Sequence, residues 1–133
     1  MNKYIAGYAA TALVLLALDL FFIGIIAMPI YQRGIGHLMA AQPSIPAAVL
    51  FYGVFTLGLM VFAVVPTRTA AWSKTAVAAA LFGFFTYATY ELTNLATLRD
   101  WPLHIVGMDL VWGCLVSAAA GSAGRATMRR LSR

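Results

Sequence analysis

The chain has 133 residues, 62% hydrophobic and 10% charged, with nine Lys or Arg against four Asp or Glu and a net charge of +5. A soluble domain carries about 25% charged residues and is about half apolar. With a mean hydropathy of +0.86, this composition excludes a soluble enzyme, a disordered tail and a disulfide-stapled secreted domain.

About 20 apolar residues at 1.5 Å each cross the ~30 Å hydrocarbon core of a bilayer. Four stretches qualify. The first runs from about Tyr4 to Met28 and is broken only by Asp19. It is too long for a cleaved signal peptide, carries an acid and is followed by no small-x-small site, so it reads as a retained helix. From Pro29 to Pro46 the chain is mixed, and Tyr31, Ile35, Leu38 and Met39 form one apolar stripe. That pattern predicts a short helix lying at the outer interface. The second span, about Ala47 to Val65, has no charge. The third, about Thr75 to Leu98, contains Glu91, and the fourth, about Leu103 to Gly124, contains Asp109. Pro29, Pro46, Pro66 and Pro102 mark segment edges. The runs are long, rich in Ala and Leu and lack a period of two, so they are helices rather than strands. With short connections between them, the expectation is one all-α domain: a four-helix transmembrane bundle.

Basic residues set the orientation. Lys3, Arg68, Lys74, Arg125, Arg129, Arg130 and Arg133 fall on one side, Arg33 and Arg99 on the other. The expectation is a multi-pass protein of the bacterial inner membrane with both termini cytoplasmic. Trp72 and Trp101 read as interfacial anchors. The arginines from Arg125 to Arg133 read as anchors to anionic headgroups. These basic residues flank apolar runs, so they give no nucleic-acid signal. Cys114, the single cysteine, reads as a packing residue.

Asp19, Glu91 and Asp109 are the chemical signal, because a carboxylate at membrane depth costs about 2.5–3.5 kcal/mol on insertion scales. The turn Arg99-Asp100-Trp101-Pro102 joins the last two spans, with Asp100 expected to cap the fourth helix. Glu91 and Asp109 lie roughly 12–14 Å from that turn, and Asp19 roughly 15 Å from the same face. All three therefore fall in one layer of the outer half. Ala79, Gly83, Tyr87 and Glu91 repeat every four residues, as do Asp109, Gly113, Ser117 and Gly121. Small residues at that spacing let helices approach closely, so both acids face protein. Asn94, Tyr87, Tyr90, Trp112 and Tyr52 join the layer as candidate ligand- or proton-binding groups. Arg33, His37, Arg99 and His104 line the outer rim. The cytoplasmic half offers little comparable beyond Thr11 and Ser117. Three ionised carboxylates would repel, so the layer calls for a proton, a cation, or Arg33 or Arg99 reaching down. No paired-histidine or cysteine spacing supports a metal, and no cofactor is expected.

The run Ala88 to Leu98 (ATYELTNLATL), followed by Trp101-Pro102, is distinctive. Together with Ala17-Leu18-Asp19, Pro29-x-Tyr31, Gly36-His37-Leu38 and Asp109-x-x-Trp112-Gly113, it resembles a family of small bacterial membrane proteins, domain of unknown function 2177. The resemblance implies four spans and a bacterial inner membrane. Members usually have Asp at the position of Glu91, which keeps the charge, and often Trp at that of Phe22.

Three function classes remain open. The first is proton-coupled transport or binding of a small cationic or amphiphilic ligand, in a chain small enough to need a homodimer. The second is a lipid-modifying enzyme or accessory factor, with Glu91 and Asp109 as an acid–base pair. The third is a structural subunit of a larger membrane complex. Membrane lipids are partners in every case.

Overall fold

The computed structural model describes residues 2–132, so Arg133 lies outside the described residues. Helix α1 spans Lys3–Phe21 and is capped by the Asn2 side chain, which accepts from the Tyr4 N–H at 2.7 Å. The chain does not stop being helical at Pro29. It passes through a π-helical turn, Phe22–Ala27, into α2, Met28–Ile35, and a last 3₁₀ turn, Gly36–Leu38. Two features reconcile the proline with the helix. Pro29 falls in the first turn of α2, where a missing N–H costs least. The wider turn before it sends the Met28 N–H to the Ile23 carbonyl. The expected separate interfacial helix is therefore an extension of α1. Together they make a rod of 36 residues, Lys3–Leu38, roughly 50 Å long. Its end leans over the start of α5, where a Cβ on Gly34 would press on Ile105 and Pro102.

Helix α3, Ile45–Leu59, starts at Ser44, whose hydroxyl accepts from the Ala47 N–H at 3.4 Å. It runs on through a second π-helical turn, Met60–Val64. Turns lead to α4, Trp72–Thr97, and a tight connection leads to α5, Leu103–Leu131. In that connection Asp100 does not cap α5. It takes the left-handed conformation that reverses the chain, φ 56°, and Pro102 stands at the helix start without a side-chain cap.

The fold is an all-α membrane bundle. Three helical stretches, Lys3–Leu38, Ile45–Val64 and Leu103–Leu131, are long and apolar enough to cross a membrane. Helix α4 is not among them, because its second half is rich in threonine and tyrosine. Its threonines are less polar than their count suggests. Thr86, Thr89, Thr93 and Thr97 each donate to the carbonyl four residues back, at 2.8, 2.6, 2.5 and 2.8 Å.

Helix α5 is central and packs on both α1 and α4. The small-residue stripes meet as expected: a Cβ on Gly83 would collide with the Gly113 carbonyl oxygen and the Ser117 hydroxyl. Leu15, Leu59, Ala63, Ala79, Val116 and Ala120 close the middle of the bundle. Lys3 at the start of α1 and Arg129 near the end of α5 line one hollow, so the start of α1 and the end of α5 lie on the same side of the bundle.

Candidate functional site

The half of the bundle next to the α4–α5 turn holds a cavity of about 580 Å³. Every helix contributes to its wall. Asp19 comes from α1, Phe22 from the π-helical turn, Tyr31 from α2, and Phe51, Tyr52 and Phe55 from α3. Helix α4 adds Thr86, Tyr87 and Tyr90, the turn adds Trp101, and α5 adds Ile105, Asp109 and Trp112. Nine of the lining side chains are aromatic and two are carboxylic acids.

The acids take their hydrogen bonds from uncharged aromatic donors. Asp19 accepts from the Tyr52 hydroxyl at 2.6 Å through Oδ2 and from Trp112 Nε1 at 2.8 Å through Oδ1. Asp109 Oδ1 accepts from the Tyr31 hydroxyl at 2.5 Å. Glu91 Oε2 accepts from Trp101 Nε1 at 2.7 Å, while its Oε1 is buried with no donor. Glu91 on α4 and Asp109 on α5 belong to two helices that pack on each other.

The orientation of these donors has local causes. Phe22 stacks on Trp112 with centroids 4.3 Å apart and planes 7° from parallel, which holds the indole N–H toward Asp19. The Tyr87 ring lies over Gly113, where a Cβ would strike it, and meets the Phe55 ring edge-on at 6.0 Å. Tyr90 packs edge-on against Trp101 at 6.1 Å.

Asp19, Asp109, Tyr52, Tyr87, Tyr90 and Trp112, all singled out from the sequence, line this one cavity. Glu91 and Asn94 do not: Glu91 is fully buried behind Trp101 and Asp109, and Asn94 is half-buried one turn beyond Tyr90. Arg33, His37, Arg99 and His104 are exposed and outside the lining. Neither arginine reaches the acids, and Arg33 Nε turns back to the Pro29 carbonyl at 3.3 Å. Among the described residues no three of His, Cys, Asp and Glu are grouped to hold a metal ion.

The family DUF2177, described as a predicted membrane protein, matches residues 4–126. The chain belongs to that family. No curated protein and no solved structure matches it. The span matched to DUF2177 takes in all four acidic residues and every residue of the cavity wall.

Two partners of the acids escaped the sequence. The sequence pattern puts Tyr31 in an apolar interfacial stripe and gives Trp101 the signature of an interfacial anchor. In this DUF2177 chain Trp101 is turned inward and 8% exposed, with its N–H committed to Glu91. The other end of the bundle also differs from expectation. Arg125 does not extend outward with the rest of its basic cluster: it is buried, and its guanidinium clamps the turn before α4. It donates to the carbonyls of Ala70 and Ala71 at 2.5 and 3.0 Å and to the Thr75 hydroxyl at 2.9 Å. The Trp72 ring lies 4.9 Å from its charge.

Proposed function

We propose that the cavity binds a small organic cation or cationic amphiphile, with Asp19 and Asp109 as its counter-charges, and that binding exchanges the ligand for a proton. The observation that carries this reading is the cavity wall: nine aromatic side chains and two carboxyls, with no basic residue among them. Aromatic faces attract a desolvated cation, and quaternary ammonium groups are held in such cages. A buried carboxylate without a cationic partner is costly in a membrane, so an arriving cation supplies what the protein withholds. The size suits a compact ligand, since ligand cavities run about 300–1,000 Å³.

The proton belongs to the same geometry. Glu91 and Asp109 stand on two helices that pack on each other, α4 and α5, and two carboxylates brought close at membrane depth repel unless a proton or a cation lies between them. Glu91 sits behind the wall and Asp109 in it, so Glu91 acts as the proton's holder and Asp109 as the group that faces the ligand. Transport requires the layer of Leu15, Leu59 and Val116, fully buried below the cavity, to part.

The test is proton release. Benzyltrimethylammonium is titrated calorimetrically into the purified protein in two buffers of equal pH and different ionisation enthalpy. The expected result is an apparent enthalpy that differs between the buffers by a fixed fraction of a proton per cation bound, with affinity rising as pH rises. Binding with equal heats in both buffers and no pH dependence removes proton exchange from the account.

A further inference from the structure

A second concavity, about 400 Å³, lies at the opposite end of the bundle, where the first turn of α1, the turn before α4 and the last turns of α5 meet. Lys3, Arg68, Arg125 and Arg129 all line it, with Thr69 and Ser132 beside them. Among the described residues no Asp or Glu side chain is part of it. The chain has four acids, Asp19, Glu91, Asp100 and Asp109. Asp19 and Asp109 line the cavity, Glu91 is buried behind its wall, and Asp100 is in the α4–α5 turn, all at the other end.

The arginine at the bottom adds an independent observation. Arg125 is 4% exposed, and its Nε is buried with no hydrogen-bond partner. Its terminal nitrogens are met by carbonyls and a hydroxyl, which satisfy hydrogen bonds but leave the charge uncompensated. A buried charge is stable only when paired. Three more cations crowd the same hollow without neutralising it. The missing partner is an anion with several acceptor oxygens, the chemistry that guanidinium groups bind best. Its source is set by position. The hollow lies where the apolar runs of α1 and α5 end and beside Trp72, which is 43% exposed, so it sits at headgroup level.

We infer that this concavity is a binding site for a phosphate group, and that the phosphate is the headgroup of an anionic glycerophospholipid. This site is independent of the cation cavity, and nothing in its test depends on that reading. Two properties separate it from general attraction to a charged membrane: it is concave rather than flat, and its deepest cation is buried.

The test is lipid retention by the full chain, purified in detergent and measured by native mass spectrometry with equal amounts of phosphatidylglycerol and phosphatidylcholine of matched acyl chains. We expect at least fivefold preferential retention of phosphatidylglycerol. Arg68→Gln with Arg129→Gln removes the preference, and both residues are peripheral enough to leave the Arg125 clamp in place. Arg33→Gln with Arg99→Gln, at the opposite end, keeps it. Parallel additions of inorganic phosphate and of glycerol phosphate separate the sources, and neither displaces the lipid at equal concentration. Equal retention of the two lipids by the unmodified chain overturns the site. So does an equal loss of preference in both double variants, which would mark diffuse charge attraction. Displacement by free phosphate overturns the lipid assignment.

Discussion

The Tyr31 hydroxyl donates to Asp109 Oδ1 at 2.5 Å across 78 positions of sequence. That bond ties the extension beyond Pro29 to α5 and makes α2 part of the cavity wall. The π-helical turn carries the helix past Pro29, and this bond holds the extension against the bundle. Removing it by Tyr31→Phe keeps the ring and deletes the donor. The expected outcome is faster amide hydrogen exchange confined to residues 29–38, with the protection of α4 and α5 unchanged.

Trp101 and Glu91 form a buried pair with no other donor to the carboxyl. Stranding a buried acceptor costs about 1–3 kcal/mol, and more for a charged group. Trp101→Phe is therefore expected to lower the thermal midpoint by several degrees in detergent. In a Glu91→Gln background the same change costs less, because an amide is less expensive to leave unpaired. Equal costs in the two backgrounds would show that the tryptophan acts through packing alone.

Glu91→Gln itself separates a structural from a working carboxyl. The amide keeps the size and the acceptor for Trp101 and adds a donor toward Asp109, so the protein is expected to insert and fold. It cannot hold an exchangeable proton. On the proposed reading it abolishes proton release on cation binding, whereas Glu91→Asp retains part of it. Calorimetry in paired buffers measures both.

The α4–α5 contact at Gly83 admits no side chain. A Cβ there would meet the Gly113 backbone rather than a movable side-chain tip. Overpacking of this kind costs about 1–3 kcal/mol. Gly83→Ala is expected to lower the thermal midpoint, whereas Gly36→Ala, where a Cβ meets nothing, leaves it unchanged. Scanning fluorimetry of the two variants side by side checks the difference.

The residues show why some of this was legible in sequence and some was not. The helices, the tight final hairpin and the inward faces of Glu91 and Asp109 follow from hydropathy and four-residue spacing. Those signals are local and survive in the fold, as Ala79, Gly83, Gly113, Ser117 and Gly121 show by being buried. Tyr31 was lost because the π-helical turn at Phe22–Ala27 adds a residue to the helical repeat. That shifts the phase of everything beyond it, and a proline at position 29 reads as an end. Trp101 was lost because a tryptophan beside an arginine has the pattern of an interfacial anchor, and only the tertiary turn reveals which way the indole faces. Arg125 looked like one more basic residue in a C-terminal cluster. Its partners are backbone carbonyls of a turn more than fifty positions away, and carbonyls carry no sequence signal. Asp100 had the residue type of a helix cap, but the chain used its tolerance of positive φ instead.

The central claim is that the cavity recognises positive charge through Asp19 and Asp109, and a pair of isosteres tests it most directly. Benzyltrimethylammonium and neopentylbenzene have the same shape and differ by one charge. Binding of each is followed by tryptophan fluorescence, since Trp101 and Trp112 line the cavity. The account predicts that the cation binds at least tenfold more tightly, a difference of about 1.4 kcal/mol or more. It also predicts that Asp19→Asn and Asp109→Asn each reduce that preference, and that the two together abolish it. Equal affinity for the two compounds in the unmodified protein, or a preference that survives the double replacement, would contradict it.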